Sequence, residues 1–231
     1  MDAEAEPVVA DDVEASTRAR IRDAAIACFA GDGFGASVRT IAAAAGVSAG
    51  LITHHFGSKD ALRAECDTEV LARYRALKSG AVSAPAEALL RLLPDPGPAA
   101  SLVVYMLRAL AAGGEPARVF LERLTDEARG VMKESLDAGL IRPSRDEEAR
   151  LRYMVEQSMG ALLLQFLTTP ADSPEEFART ALTSPSHETI LPTLELYTEG
   201  FLTSSALLDT YLQHVLHQPH PSEETEDHDR H

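Results

Sequence analysis

From Ser48 to Lys59 the chain reads SAGLITHHFGSK, a run of side chains suited to meeting a polyanion at close range. The hydroxyls of Ser48 and Thr53, the imidazoles of His54 and His55 and the ammonium of Lys59 can all donate to phosphate oxygens. Ala49 and Gly50 are small enough to let backbone approach the edges of bases, and Leu51 is an apolar group that suits a thymine methyl. Just upstream, Ser37, Arg39 and Thr40 add two hydroxyls and a guanidinium.

Three helix starts in quick succession must position these groups. Ser37 caps a helix whose inward positions are Val38, Ile41, Ala42 and Ala45. Gly46 closes it where a left-handed residue is needed, and Val47 is buried as the chain turns. Ser48 caps a second short helix with Ile52 and Phe56, four apart, on its inner face. Gly57 breaks that helix, and Ser58 caps a third beginning Lys-Asp-Ala-Leu. Two short helices joined by a glycine-containing turn make a helix-turn-helix, a motif whose second helix enters the DNA major groove. A preceding helix opens at Ser16 or Thr17, with Ile21, Ala24, Ala25, Cys28 and Phe29 as its stripe, and ends at Gly31 and Gly33. Its Arg18, Arg20 and Arg22 read as a solvated face.

The pattern RIRDAAIACFAGDGF followed by SVRTIAAAAGVSAGLITHHFGSKDAL resembles the N-terminal domain of the tetracycline-repressor (TetR) family of bacterial regulators, over roughly Arg18 to Arg63. Two departures stand out. Thr53 occupies a position where the family usually has Tyr, so a hydroxyl replaces a ring contact to the DNA backbone. The loop from Phe34 to Val38 is one residue shorter than the commonest family spacing.

A formal net charge of −15 looks wrong for a protein that binds a phosphate backbone. Its distribution resolves the conflict. From Thr17 to Arg63 six basic residues face three acidic ones, while the stretches on either side are negative. Only the helix-turn-helix region is positive, as a DNA-binding head requires.

Hydrophobic residues make up 45% of the chain and charged ones 25%, the balance of a globular protein. Cys28 and Cys66 fall at inward helical positions and read as small core hydrophobes in a reducing compartment. No stretch approaches the roughly 20 apolar residues of a membrane span, and residues 1–16 lack the apolar run of a secretory signal, so a cytoplasmic protein is expected.

Residues 1–15 are acidic and aperiodic, which predicts a disordered arm, and residues 218–231 predict a disordered acidic, His-containing tail. Residues 16–63 form the head. Residues 64–217 read as a helical ligand-binding and dimerisation domain with no strand signal: Lys59 to about Ser79, a helix through Ala88, Leu89 and Leu92, a PDPGP loop at 94–98, then helices at 99–112, 115–138, 145–168 and 193–217, with 169–192 a long proline-bearing connection that has room for one short helix at Glu175 to Leu182. The fold expected is all-α, a three-helix head followed by a larger helical domain. The segment Ser158 to Leu167 is apolar nearly all round, so both its faces must be covered. Leu194, Tyr197, Phe201, Ser204, Leu208, Tyr211 and Val215 step by three and four, as a helix-packing seam would. Residues 145–168 and 193–217 are therefore the expected homodimer interface.

The TetR resemblance implies a dimeric regulator, most often a repressor, whose helical body holds a small-molecule effector. Candidate pocket residues are Tyr105, Met106, Phe120, Met132, Met154 and Phe166, with Glu122, Glu156 and Gln157 as polar groups. Glu156, if buried without a basic partner, would select a lipophilic cation; the bland alternative pairs it with Arg152, one turn earlier. No cofactor is expected, and no Cys/His spacing fits structural zinc; His54 and His55 point about 100° apart on a helix, and His214 and His217 read as a solvated helix end. An enzymatic reading would rest on Glu156, His187 or Ser158, and their spacing supports no catalytic set. An interaction module that had lost DNA binding would have no use for Ser48, His55 and Lys59.

Overall fold

The computed structural model describes residues 8–84, 99–169, 171–183 and 190–216, and the described secondary structure is helical. Among the described residues ten helices run in chain order: α1 (Val8–Asp32), α2 (Val38–Ala45), α3 (Ala49–Phe56), α4 (Lys59–Val82), α5 (Ala99–Ala111), α6 (Gly114–Asp137), α7 (Glu147–Thr168), α8 (Pro174–Thr183), α9 (Ile190–Thr198) and α10 (Ala206–Leu216). The expected helix through Ala88 to Leu92, the PDPGP loop, residues 1–7 and the tail from His217 onward lie outside the described residues.

The first compact unit contains α1 to α8. In α1 the side chains of Ile21, Ala25 and Phe29 recur every four residues and are fully buried, which fixes the helix face that packs on α2, α4 and α5. On α4 the same spacing brings Leu62, Cys66 and Val70 inward. α5 is buried on most of its surface, as its apolar run predicts, and contacts α1, α4, α6, α7 and α8. One continuous apolar cluster runs from Ile21 of α1 through Leu107 of α5 to Phe177 of α8. The head and the helices that follow it thus share a core, and α4 belongs to both.

Three contacts pin α5 to the head. The rings of Phe29, Phe34 and Tyr105 pack together, with the Phe34 and Tyr105 centroids 5.3 Å apart and perpendicular. The Tyr105 hydroxyl donates to Asp67 Oδ1 on α4 at 2.6 Å. Arg108 donates from Nε to the Ala30 carbonyl at 2.7 Å and from a terminal nitrogen to the Gly31 carbonyl at 2.6 Å, capping the last turn of α1 with positive charge. Gly33, at φ 80°, leaves room for that guanidinium; a Cβ there would stand 3.2 Å from an Arg108 nitrogen.

The second unit comprises α9 and α10. The single helix expected over 193–217 is corrected to two. Gly200 adopts φ 79° and its N–H, with that of Glu199, turns back to the Glu195 carbonyl, so α9 stops there. Ser204, expected in the middle of a seam, sits between the helices, where its hydroxyl accepts from Ala206 N at the start of α10. The arm expected at 1–15 is corrected too: α1 already runs from Val8.

Candidate nucleic-acid interface and effector cavity

The α2–α3 unit is built by its caps. Ser37 Oγ accepts from Thr40 N at 3.1 Å and Ser48 Oγ accepts from Leu51 N at 3.2 Å, both from extended backbone. Gly46, at φ 65°, ends α2 with a paired closure, its own N–H and that of Val47 turning back to Ala43 and Ala42. Ile41, Ala42 and Ala45 of α2 and Ile52 and Phe56 of α3 are buried. Gly57, at φ 74°, then hands the chain to Ser58, whose hydroxyl accepts from Ala61 N at 3.0 Å.

This burial leaves a defined outer surface. Ser37, Arg39, Thr40, Ser48, Gly50, Thr53 and His54 are exposed, and Ala49 and Leu51 are half-buried at the edge of the same helix. The Thr53 hydroxyl rests on the Ala49 carbonyl at 3.4 Å.

Two residues expected on this surface are held elsewhere. The His55 side chain is only 5% exposed, and its Nδ1 lies 3.8 Å from Glu14 of α1. It faces inward because α1 extends across it, so the expected phosphate contact from His55 is corrected to a packing role. Lys59 is half-buried, and its ammonium donates to the Phe34 carbonyl at 2.7 Å; it ties down the loop ahead of α2 instead of standing free for a phosphate. Arg63 stacks on the Phe34 ring, 3.6 Å from its centroid, and completes that clamp. Arg18 is likewise structural: it bonds the His55 carbonyl and Glu65 and lies 4.5 Å over the Phe56 ring.

In the helical body the candidate pocket residues separate. A cavity of about 230 Å³ between α4, α6 and α7 is lined by Met132 and Met154 together with Tyr74, Lys78, Leu151 and Met159. A second, of about 240 Å³, lies beside Arg108, Phe166 and Phe177. Tyr105, Met106 and Phe120 are no more than 3% exposed and belong to the shared core, lining neither cavity. Glu122 and Glu156 sit in a charged groove with Arg118, Arg129 and Arg152. Glu156 is exposed, which overturns the buried carboxylate on which a cationic ligand was expected. Arg152 donates to Glu148 at 3.1 Å, one turn back, and not to Glu156 as the alternative reading had it. Gln157 is exposed on α7.

Tyr74 and Lys78 were missed as cavity residues because α4 reads as a connection between head and body. Their spacing of four, one turn apart on a helix, carried the signal. Lys78 is exposed over the residue as a whole, while protein packed beside its ammonium lowers its proton affinity from the ordinary lysine value, and the ammonium lies 5.6 Å from the Tyr74 ring centroid.

Fold and surface together define a helix-turn-helix DNA-binding protein. Comparison with known proteins is specific about which kind. Residues 21–66 match the family model described as bacterial regulatory proteins, tetR family, and residues 98–203 match the tetracyclin repressor-like C-terminal domain. The HTH-type transcriptional regulatory protein RaaS of Mycobacterium tuberculosis is 39% identical over 200 residues, spanning 85% of this chain and 92% of its own. A crystal structure of a TetR-family transcriptional regulator from Rhodococcus sp. has the same fold, with a TM-score of 0.55 at 23% identity over 79% of this chain and 98% of that one. The chain belongs to the TetR family of DNA-binding transcriptional regulators.

No helix among the described residues is long and apolar enough to cross a membrane.

Proposed function

We propose that this regulator is a cytoplasmic homodimeric repressor, without enzymatic activity, released from its operator by a small apolar molecule. The observation that carries the DNA side is the capped α2–α3 unit, whose buried face is complete and whose outer face gathers Arg39, Thr40, Gly50, Thr53 and His54. In this reading Arg39, Thr40, Thr53 and His54 meet phosphates, together with the Ser37 and Ser48 ends of the helices. Ala49, Gly50 and Leu51 lie against base edges.

Dimerisation is assigned to residues 145–168 and 193–217. Leu164 and Leu167 of α7 are 65% and 64% exposed in the single chain, although the sequence demands cover for both faces there. Phe201, Leu207 and Tyr211 of the second unit are exposed as well. A two-fold mate places two α3 helices about 34–36 Å apart, one turn of DNA.

The effector site is assigned to the cavity between α4, α6 and α7. α4 leads from that cavity into the head, so a ligand that prefers one position of α4 biases the spacing of the two heads. A coupling of about 1–3 kcal/mol corresponds to a 5- to 150-fold change in DNA affinity. A gel shift with DNA from upstream of the protein's own gene tests the reading. A saturable, sequence-dependent shift is expected; its absence at micromolar protein would dispose of the regulator.

A further inference from the structure

We infer that the cavity between α4, α6 and α7 takes an amphiphile with an anionic head, a carboxylate at the end of an apolar chain, anchored by Lys78. The inference rests on the reading of this cavity as the effector site.

The walls are apolar and adaptable, with Met132, Met154 and Met159 among them. Among the described residues, the polar groups at the cavity are the hydroxyls of Tyr74, Ser135 and Ser158 and the Lys78 ammonium, and none of the lining residues is a carboxylate. Neighbouring cations on α4 are treated differently. Arg75 pairs with Glu127 at 3.3 Å, and Arg73 pairs with Asp23 and Glu69. Lys78 instead lines the cavity beside the Tyr74 ring, exposed over the residue as a whole and with no described carboxylate paired to it.

Three ligand types can be weighed against that arrangement. A cationic head brings like charge to the Lys78 ammonium. A neutral head fills the cavity but gives the ammonium no charged partner. An anionic head supplies the missing partner by a charge-assisted hydrogen bond, while its chain covers the methionines. The charged group that could have selected a cation, Glu156, lies in a different groove. A volume of about 230 Å³ accommodates a chain of roughly eight groups of water or methylene size.

Calorimetry with octanoate, 1-octanol and octyltrimethylammonium tests this on wild type, Lys78→Met and Lys78→Arg. Octanoate is expected to bind wild type and Lys78→Arg, and to bind Lys78→Met roughly ten- to a hundredfold more weakly. Octanol affinity should be little changed by Lys78→Met, and octyltrimethylammonium should bind wild type more weakly than octanoate does. Octanoate that fails to bind wild type at millimolar concentration, or binds Lys78→Met as well as wild type, overturns the inference; so does a preference of wild type for the ammonium. Gel shifts on the same proteins keep the two readings apart. Octanoate bound through Lys78 without releasing DNA supports the anion site and overturns its role as effector site, whereas protein that never shifts DNA overturns the regulator and leaves the calorimetric result standing.

Discussion

The Tyr105 hydroxyl on α5 donates to the Asp67 carboxylate on α4 at 2.6 Å, at the point where the connecting helix meets the centre of the body. Burial raises the proton affinity of Asp67 above the usual carboxylate range, and the hydrogen bond from Tyr105 and the charges of Arg63 and Arg123 oppose that rise. Tyr105→Phe removes the donor and leaves a partly buried charge short of a partner, so it should cost about 1–3 kcal/mol at neutral pH. The sign of the pH dependence follows from linkage. A carboxyl whose folded-state pKa is raised favours folding most when protonated, and that contribution is lost as pH rises through the folded value. Removing the hydrogen bond raises the folded value further, so the variant should lose more stability at pH 7 than in mild acid. Urea midpoints at both pH values check this; an equal loss at both would show that Asp67 carries no charge penalty.

Arg108 holds the C-terminal end of α1 through the Ala30 and Gly31 carbonyls. Arg108→Ala should destabilise the protein by about 1.5–3 kcal/mol, the range for hydrogen bonds to charged groups. Amide exchange should speed up in the last turn of α1 more than in α7. A uniform acceleration across both helices would mean that Arg108 supports only the body.

The head was legible in the sequence because its geometry is written in local chemistry. Ser37, Ser48 and Ser58 each cap the helix predicted for them, and Gly46 and Gly57 adopt the positive φ that ends the helices before them. What went unread depended on distant chain. His55 faces inward because Glu14 and α1 cover it, and Lys59 is claimed by the Phe34 carbonyl 25 residues away. The three-and-four stepping from Leu194 to Val215 suggested one helix. The pattern survives in sequence, but the left-handed Gly200 breaks the backbone within it. Gly carries a helix cost of about 1 kcal/mol that a periodicity argument ignores.

On DNA, Arg39→Ala and His54→Ala should weaken binding to all sequences, because both exposed side chains are assigned to phosphates. Arg39→Ala should also reduce the salt slope by about one. Leu51→Ala should alter preference at one base pair by roughly 1–3 kcal/mol. His55→Ala should instead lower stability. Titrations at several salt concentrations separate these effects, and an unchanged slope for Arg39→Ala would remove that residue from the phosphate set.

The two thiols should be poor nucleophiles. Burial, with Asp67 and Glu65 nearby, pushes Cys66 up to about 12, and burial with Asp32 raises Cys28. The thiolate is the reactive form, so both should alkylate slowly at pH 8 and Cys66 at the rate of unfolding. Fast modification of Cys66 in native protein would contradict its packing beneath the Arg22 carbonyl.

The dimer assignment is tested most directly on α7. Leu151, Val155 and Met159 turn inward, so Leu164 and Leu167, exposed on the same helix, can be altered without opening the core. In a monomer, Leu164→Glu with Leu167→Glu puts charge where water already is and should leave the thermal midpoint within a few degrees of wild type. In a dimer the same change places two carboxylates per chain in an apolar interface with no described basic group assigned to meet them. An obligate interface buries more than about 2,000 Å², and four buried charges at its centre should dissociate it at micromolar concentration. Light scattering should then report a single chain with its helical content intact. Operator affinity should fall with it, since one head binds one half-site. A double variant that stays dimeric would move the interface off this face of α7.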